Sequence, residues 1–305
     1  MNVRGKKFLV TGVGGFIGNA VAHALIAQGA ETVLGIDRTL PANTHPGLQF
    51  KMFNLGYDEL DNLIQWVPQD LAGIFHLAAV KHNPKGDNYF DLFASNVAGT
   101  AQILTLAQSC NNAKIVFSSS LYAYGRMHAP AFEEDENVAP ETFYGESKYQ
   151  GERILKLGSE CNKVPITVVR YMFVYGPNQD EKHGYPSMIK KNMQRILQDA
   201  APIINGDGKQ VLDYIFIDDV VEATILCMNE QVNGETLNIG SGNPYSVNEI
   251  VHAMLKITEK DISPENAPSD WTDGTWRVAS IQKIKGVLNW SPTVSLEAGL
   301  KRLIT

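Results

Sequence analysis

The chain is predicted to fold as an α/β protein, a doubly wound parallel sheet flanked by helices and followed by a smaller C-terminal lobe. Short β-branched runs, KFLVTG, ETVLGID, LQFKMF, GIFHLAA, KIVFSSS and PITVVRY, recur with amphipathic stretches between them. Such alternation builds a parallel sheet with helices on both faces. A glycine-rich turn, VTGVGGFIG, joins the first run to the helical stretch FIGNAVAHALIAQGA. Beyond residue 176 the alternation loosens, and GPNQDEKHGYP, NGDGKQ, GSGNP and SPENAPSDWTDGTW set turn signals close together. The main domain is therefore placed at residues 1–175 and the smaller lobe at 176–305, with the segment 213–240 expected to return to the main domain.

Bulk properties narrow the function classes. The 305 residues are 44% hydrophobic and 19% charged, enough for one large core or two smaller ones. Net charge is −7 and the pI about 5.5, so no basic surface suits nucleic acid or an anionic membrane. The N-terminal stretch MNVRGKKFLVTG has no apolar leader region, and no run of eighteen apolar residues occurs, so a soluble, cytoplasmic protein is expected. Cys110, Cys161 and Cys227 lack metal-ligand spacing and lie in stretches read as helix; idle thiols and no metal site are expected.

Taken in order, the first element to carry chemistry is the glycine turn. Gly12, Gly15 and Gly18 sit between a strand and a helix, where they permit a tight turn and let backbone amides and the helix N-terminus approach a pyrophosphate. The second strand ends at Asp37, nineteen residues past Gly18, where a carboxylate can accept from an adenosine ribose. Together these predict a Rossmann-type dinucleotide site. Asp37 would repel a 2′-phosphate and so favours NAD over NADP, while the adjacent Arg38 softens that preference. The segment NYFDLFASNVAGTAQILTLAQSC reads as one helix, and VFSSSLYAYG closes a central strand at the edge where open parallel sheets place their ligands. In FYGESKYQGERIL, Tyr144 and Lys148 are four residues apart and share a helix face. A neighbouring ammonium and an oxidised nicotinamide would both stabilise a tyrosinate, which makes Tyr144 a candidate general acid/base.

With these residues in place, the chain resembles an extended short-chain dehydrogenase/reductase of the NAD-dependent epimerase/dehydratase family, whose members act on nucleotide-activated sugars. TGVGGFIG, FHLAAVKH, SNVAGT, FSSSLYAYG, YGESK, RYMFVYGP, DYIFIDDVVEA, NIGSG and LNWSPTVSLEAGL fall in the family's order along the whole chain. The resemblance implies a catalytic set of Ser120, Tyr144 and Lys148. It implies an NAD site built from Gly12, Gly15, Phe16, Ile17, Gly18, Asp37, Arg38, Asn54, Leu55, Leu77, Ala78, Ala79, Lys81, Asn96, Ser118 and Tyr171 with the two helix-borne catalytic residues. Lys81 matches a lysine lying close to the cofactor in sugar 4-epimerases, and Asn96 the asparagine that supports the active-site strand. Asn54 stands where relatives hold the adenine amine with an acidic residue, and its amide oxygen can still accept that bond. Relatives that pair through two long helices imply a homodimer.

The shared first step implied is oxidation of a sugar hydroxyl, Tyr144 taking the proton while hydride passes to the nicotinamide. Family 4,6-dehydratases carry an Asp-Glu pair after the catalytic hydroxyl residue, and decarboxylases often keep the glutamate; this chain has Leu121 and Tyr122 there. Elimination then lacks its acid and base, which leaves epimerisation at C4 through a transient ketone. The alternatives are a sugar 4-ketoreductase or dehydrogenase that exchanges its cofactor, and a nucleotide-binding protein without chemistry. Phe173 stands where an asparagine helps hold substrate phosphates, Leu212 where an arginine does, and Arg277 matches another phosphate-binding arginine. Substrate contacts are thus expected from Lys81, Ser120, Leu121, Tyr122, Phe173, Leu212 and Arg277. His82, His183 and Tyr185 stay open between pocket lining and plain loop roles, and Trp271, Trp276 and Trp290 read as core of the small lobe.

Overall fold

The structure, a computed structural model, describes residues 2–41, 43–81, 88–128, 134, 138–179 and 187–304. Strands β1 (Lys7–Thr11), β2 (Thr32–Asp37), β3 (Leu48–Met52), β4 (Gly73–His76), β5 (Lys114–Ser120) and β6 (Ile166–Tyr171) form one sheet with a seventh strand, Thr236–Ile239, in the order β3-β2-β1-β4-β5-β6 and then the seventh. Registered pairs are parallel, with Thr11 opposite Ile36 on one side and His76 on the other. All seven residues of β5 and all six of β6 are buried. A strand covered on both faces becomes a continuous rather than alternating apolar run, which is why these segments are legible in the sequence.

From β1 the chain moves outward through β2 and β3, then crosses back to β4 on the other side of β1. Right-handed crossovers in opposite directions put their helices on opposite faces and open a crevice beyond the carboxyl ends of β1 and β4. The helices concerned are α1 (Phe16–Ala27), α2 (Leu60–Ile64), α3 (Tyr89–Phe93), α4 (Gly99–Ser109) and α5 (Phe143–Asn162). Leu9, Leu34, Ile74, Ile115 and Phe117 of the strands pack with Ile103 and Leu106 of α4 and Leu155 of α5 in one buried cluster.

The single helix expected across residues 88–110 is interrupted: α3 and α4 are joined by a π-helical turn, Ala94–Ala98. Hydrophobic periodicity cannot register one extra residue in a single widened turn of an otherwise helical run. Two cysteine placements also change. Cys161 lies within α5, but Cys110 caps the end of α4 and Cys227 follows the helix Ile217–Leu226.

The chain divides into two compact units. One comprises Met1–Gly125, Asn137–Arg170 and Val221–Leu237; the other Arg126–Glu136, Tyr171–Val220 and Asn238–Thr305. In the second unit, Val211–Leu212 pairs parallel with Trp276–Arg277 and antiparallel with Tyr245–Ser246. Buried Asp213 ties this unit together, accepting from Ser241 N at 2.7 Å, Ser241 Oγ at 2.6 Å and Gly242 N at 3.0 Å. Trp290 is buried, but Trp271 is 45% exposed, so the expectation that it forms core is corrected. No helix among the described residues is long and apolar enough to cross a membrane.

Candidate active site

The glycine turn leaves no room for side chains. Gly12 has φ +77°, and a Cβ there would lie 2.7 Å from Ala78 N, where the exits of β1 and β4 converge. A Cβ on Gly18 would strike the Gly12 carbonyl, so α1 packs against the turn only as glycine. Gly15 caps α1 with no side-chain hydrogen bond, and the first turn, which begins Phe16–Ile17, carries no acidic residue. The helix therefore presents its unsatisfied N-terminal amides to an anion, a cradle that fits the pyrophosphate of a dinucleotide.

At the end of β2, Asp37 Oδ2 accepts from Gly14 N at 2.9 Å and Oδ1 from Thr39 N at 2.9 Å. The carboxylate thus buttresses the glycine turn as well as standing at the position a ribose would reach. Arg38 is engaged elsewhere: its Nη1 lies 3.2 Å from Asp91 Oδ2, while the Tyr57 hydroxyl donates to Asp91 Oδ1 at 2.9 Å. Asn54 N donates to Asp58 Oδ2 at 2.8 Å, and Leu55 beside it is buried.

Behind the crevice lies a buried chain of hydroxyls and an imidazole that the sequence reading missed. Thr11 Oγ1 accepts from Leu77 N and Ala78 N, each at 3.0 Å, so its own hydrogen goes to His76 Nδ1 at 2.9 Å. That assigns the His76 proton to Nε2, which donates to Thr100 Oγ1 at 3.0 Å; Thr100 in turn donates to the Asn96 carbonyl at 2.6 Å. Burial, helped by the Lys148 charge, holds His76 neutral with its pKa lowered to about 3. The segment Leu77–Ala78–Ala79 is thereby fixed where it leaves β4.

Asn96 sits in the π turn, and its amide grips the next residue of that segment on both sides. Oδ1 accepts from Val80 N at 2.7 Å and Nδ2 donates to Val80 O at 2.9 Å. The same Nδ2 also donates to Ser147 Oγ at 2.9 Å, and Ser147 donates to the Tyr144 carbonyl at 2.8 Å. One buried side chain so links the strand exit to the helix turn that carries Tyr144.

Helix α5 begins at Thr142, whose hydroxyl accepts from Gly145 N at 3.0 Å. This cap sets Tyr144 in the first turn, and Lys148 follows one turn on. The Tyr144 phenol meets the Ser120 hydroxyl and packs edge-on against the Tyr122 ring, with centroids 5.5 Å apart. Burial pushes the phenol up to about 12, against the pull of the Ser120 hydrogen bond. Burial also lowers Lys148 to about 7, opposed by the carboxylate of Glu152, and its Nζ stands 4.6 Å from the Phe117 ring centroid. The three serines that close β5 divide their work. Ser118 donates to the His76 carbonyl at 3.2 Å, Ser119 to buried Glu152, and Ser120 caps the short 3-10 turn Leu121–Tyr124. Leu121 is buried beside it.

Lys81 lies exposed after the β4 exit. Tyr171, Phe173, Leu212 and Arg277 belong to the second unit. There Leu212 and Arg277 are register partners on adjacent strands. The Arg277 guanidinium lies 4.7 Å over Trp271, whose ring is 6.3 Å from Phe173; Phe173 also meets Tyr214 at 5.3 Å. Aromatic surface thus occupies the place where the family resemblance leads one to expect an asparagine. His82, His183 and Tyr185 lie outside the described residues.

Comparison with known proteins identifies the family. Residues 8–240 match the model of the NAD dependent epimerase/dehydratase family. A putative UDP-glucose 4-epimerase of Methanocaldococcus jannaschii is 30% identical, over 97% of this chain and 96% of its own. A UDP-N-acetyl-α-D-glucosaminuronate decarboxylase of Bacillus cytotoxicus is also 30% identical, over 98% and 97%. The crystal structure of UDP-glucose 4-epimerase from Thermotoga maritima, with UDP-glucose, superposes with a TM-score of 0.89 at 30% identity, covering 98% of this chain and 97% of that one. The chain belongs to the NAD dependent epimerase/dehydratase family. It is an NAD-dependent enzyme of the extended short-chain dehydrogenase/reductase type, and its doubly wound sheet is the Rossmann fold of that group.

Proposed function

We propose that the protein is an epimerase acting at C4 of a nucleotide-activated sugar. The observation that carries this reading is the meeting of Ser120 and Tyr144 at the end of β5, with Lys148 one turn along the same helix face. NAD, which the glycine turn and Asp37 would hold, would supply a reversible hydride acceptor for the sugar carbon. Tyr144 removes the proton of the C4 hydroxyl, and Ser120 donates to the same oxygen as it becomes a carbonyl. Lys148, charged, offsets the burial that otherwise keeps the phenol protonated. When the transient 4-keto sugar presents its opposite face, Tyr144 returns the proton and the inverted alcohol results. Leu121 and Tyr122 offer no carboxylate at the positions where dehydratases hold theirs, so proton removal at C5 has no base there. Relatives and structures similar to this chain include UDP-sugar 4-epimerases, which supports the substrate class.

The test is incubation of the NAD-loaded protein with UDP-glucose and, separately, UDP-glucuronate, followed by proton NMR of the sugar. Appearance of the C4 epimer without net change in NADH is expected. Release of a 4-keto sugar with stoichiometric NADH, or loss of carbon dioxide from the uronate, would replace this reading with dehydrogenation or decarboxylation.

A further inference from the structure

Tyr144, Lys148 and Glu152 are spaced four apart on α5 and so continue one helix face for two turns. Glu152 is fully buried, and an isolated carboxylate is not tolerated there. Its partners are equally buried. Arg170 on β6, 1% exposed, donates from Nε to Oε1 at 3.0 Å and from Nη2 to Oε2 at 2.8 Å, and Ser119 donates to Oε1. The guanidinium is itself seated 4.6 Å over the Tyr124 ring. This bidentate pair joins α5 to β6 and, through Ser119, to the strand end that presents Ser120.

Such a pair reads most simply as a staple of the fold. The surroundings of Lys148 argue for more. From β5 it meets the Phe117 ring, and from β4 the uncharged His76. Along α5 its ionisable neighbours are Tyr144 and Glu152, and on β6 Arg170 stands beyond Glu152. Among these groups only Glu152 brings negative charge to a buried ammonium, and Arg170 holds that carboxylate through two hydrogen bonds.

We propose that Glu152 is a positioning residue of the active site, which through its bond to Arg170 keeps Lys148 charged beneath the Tyr144 phenol while its bond to Ser119 fixes the strand end carrying Ser120. The inference rests on Tyr144 and Lys148 being the catalytic pair. It does not depend on which sugar is bound.

The test follows Lys148 itself. Protein labelled with ¹⁵N at the lysine Nζ and loaded with NAD is titrated by NMR, and the Lys148 signal is identified by its loss in Lys148→Met. In Glu152→Gln the titration midpoint is expected to fall by about one pH unit or more, since an opposite charge within one helical turn shifts a partner by one to three. In Glu152→Gln/Arg170→Met, which strands no guanidinium, the fall is expected to be smaller. A midpoint that stays at its wild-type value in Glu152→Gln, or in the double variant where the single one does not fold, overturns the proposal and leaves Glu152 a staple. Because no sugar enters the measurement, failure of the epimerase reading would show separately in the turnover assay.

Discussion

Burial moves the two helix-borne groups of the site in opposite directions, raising the Tyr144 phenol to about 12 and lowering Lys148 to about 7. The phenol can act as a base only where positive charge is brought to it, and in the proposed mechanism its single oxygen carries the whole proton transfer. Tyr144→Phe is expected to lower turnover by about 10² to 10⁴-fold while leaving the Kd for NAD nearly unchanged; paired kinetic and calorimetric measurements check this. Cofactor choice also turns on one side chain. Arg38 beside Asp37 would welcome a 2′-phosphate, but it is turned toward Asp91. Asp91→Asn, which frees the guanidinium, is expected to raise affinity for NADP relative to NAD by a few-fold, the scale of an exposed ion pair of up to about 1 kcal/mol. An unchanged NADP-to-NAD ratio in titrations would mean that Asp37 alone sets the preference.

At the scale of elements, β1, β4 and α4 are joined through His76, whose protonation would cost the fold its Thr11–His76–Thr100 chain. Its pKa in the folded protein, about 3, lies below the ordinary 6.5 of an unfolded chain. Between those values the unfolded chain binds the extra proton, so this contribution is complete above pH 6.5 and is lost as pH falls toward 3. The loss is bounded by about 5 kcal/mol, counting about 1.4 kcal/mol per unit. His76→Gln cannot take up that proton. Denaturant titrations at pH 7 and pH 4.5 should show a smaller acid-induced loss of stability in the variant than in the wild type, and an equal loss would remove His76 from the acid response.

At the scale of the molecule, the two units differ in how much chemistry their sequences display. The glycine turn, Asp37 and the Tyr144–Lys148 spacing are visible because each obeys a local rule of backbone space, distance along the chain or helical period. Glu152 obeyed the same period and was legible in principle as the next step after Lys148. Thr11, His76, Thr100 and Ser147 were not, because residues far apart in the chain become partners only when strands and helices are assembled. In the second unit the expectation of Trp271 as core failed, since an aromatic residue in a loop carries no period that assigns it a face. Its ring under Arg277 bears on recognition. On the proposed reading, with Leu212 in place of a cation, Arg277 would carry most of the diphosphate binding, and Arg277→Ala is expected to weaken UDP binding by about 1.5 to 3 kcal/mol with little effect on NAD. Calorimetry showing UDP binding unchanged in the variant would direct the search to substrates without a diphosphate.

The π turn at Ala94–Ala98 amounts to one residue more than a regular helix would need, and it can in principle be excised. Removing exposed Ala98 would restore an ordinary helical register. Every residue before the cut would then rotate by about 100° relative to α4, carrying Asn96 away from Ser147 and Val80. The chain thus stands one codon from a smoother helix that has lost its grip on the turn that carries Tyr144. The Ala98 deletion is expected to keep the far-ultraviolet helical signal and thermal cooperativity while losing turnover. Retained turnover would show that the irregularity is a passenger rather than something selection has held in place.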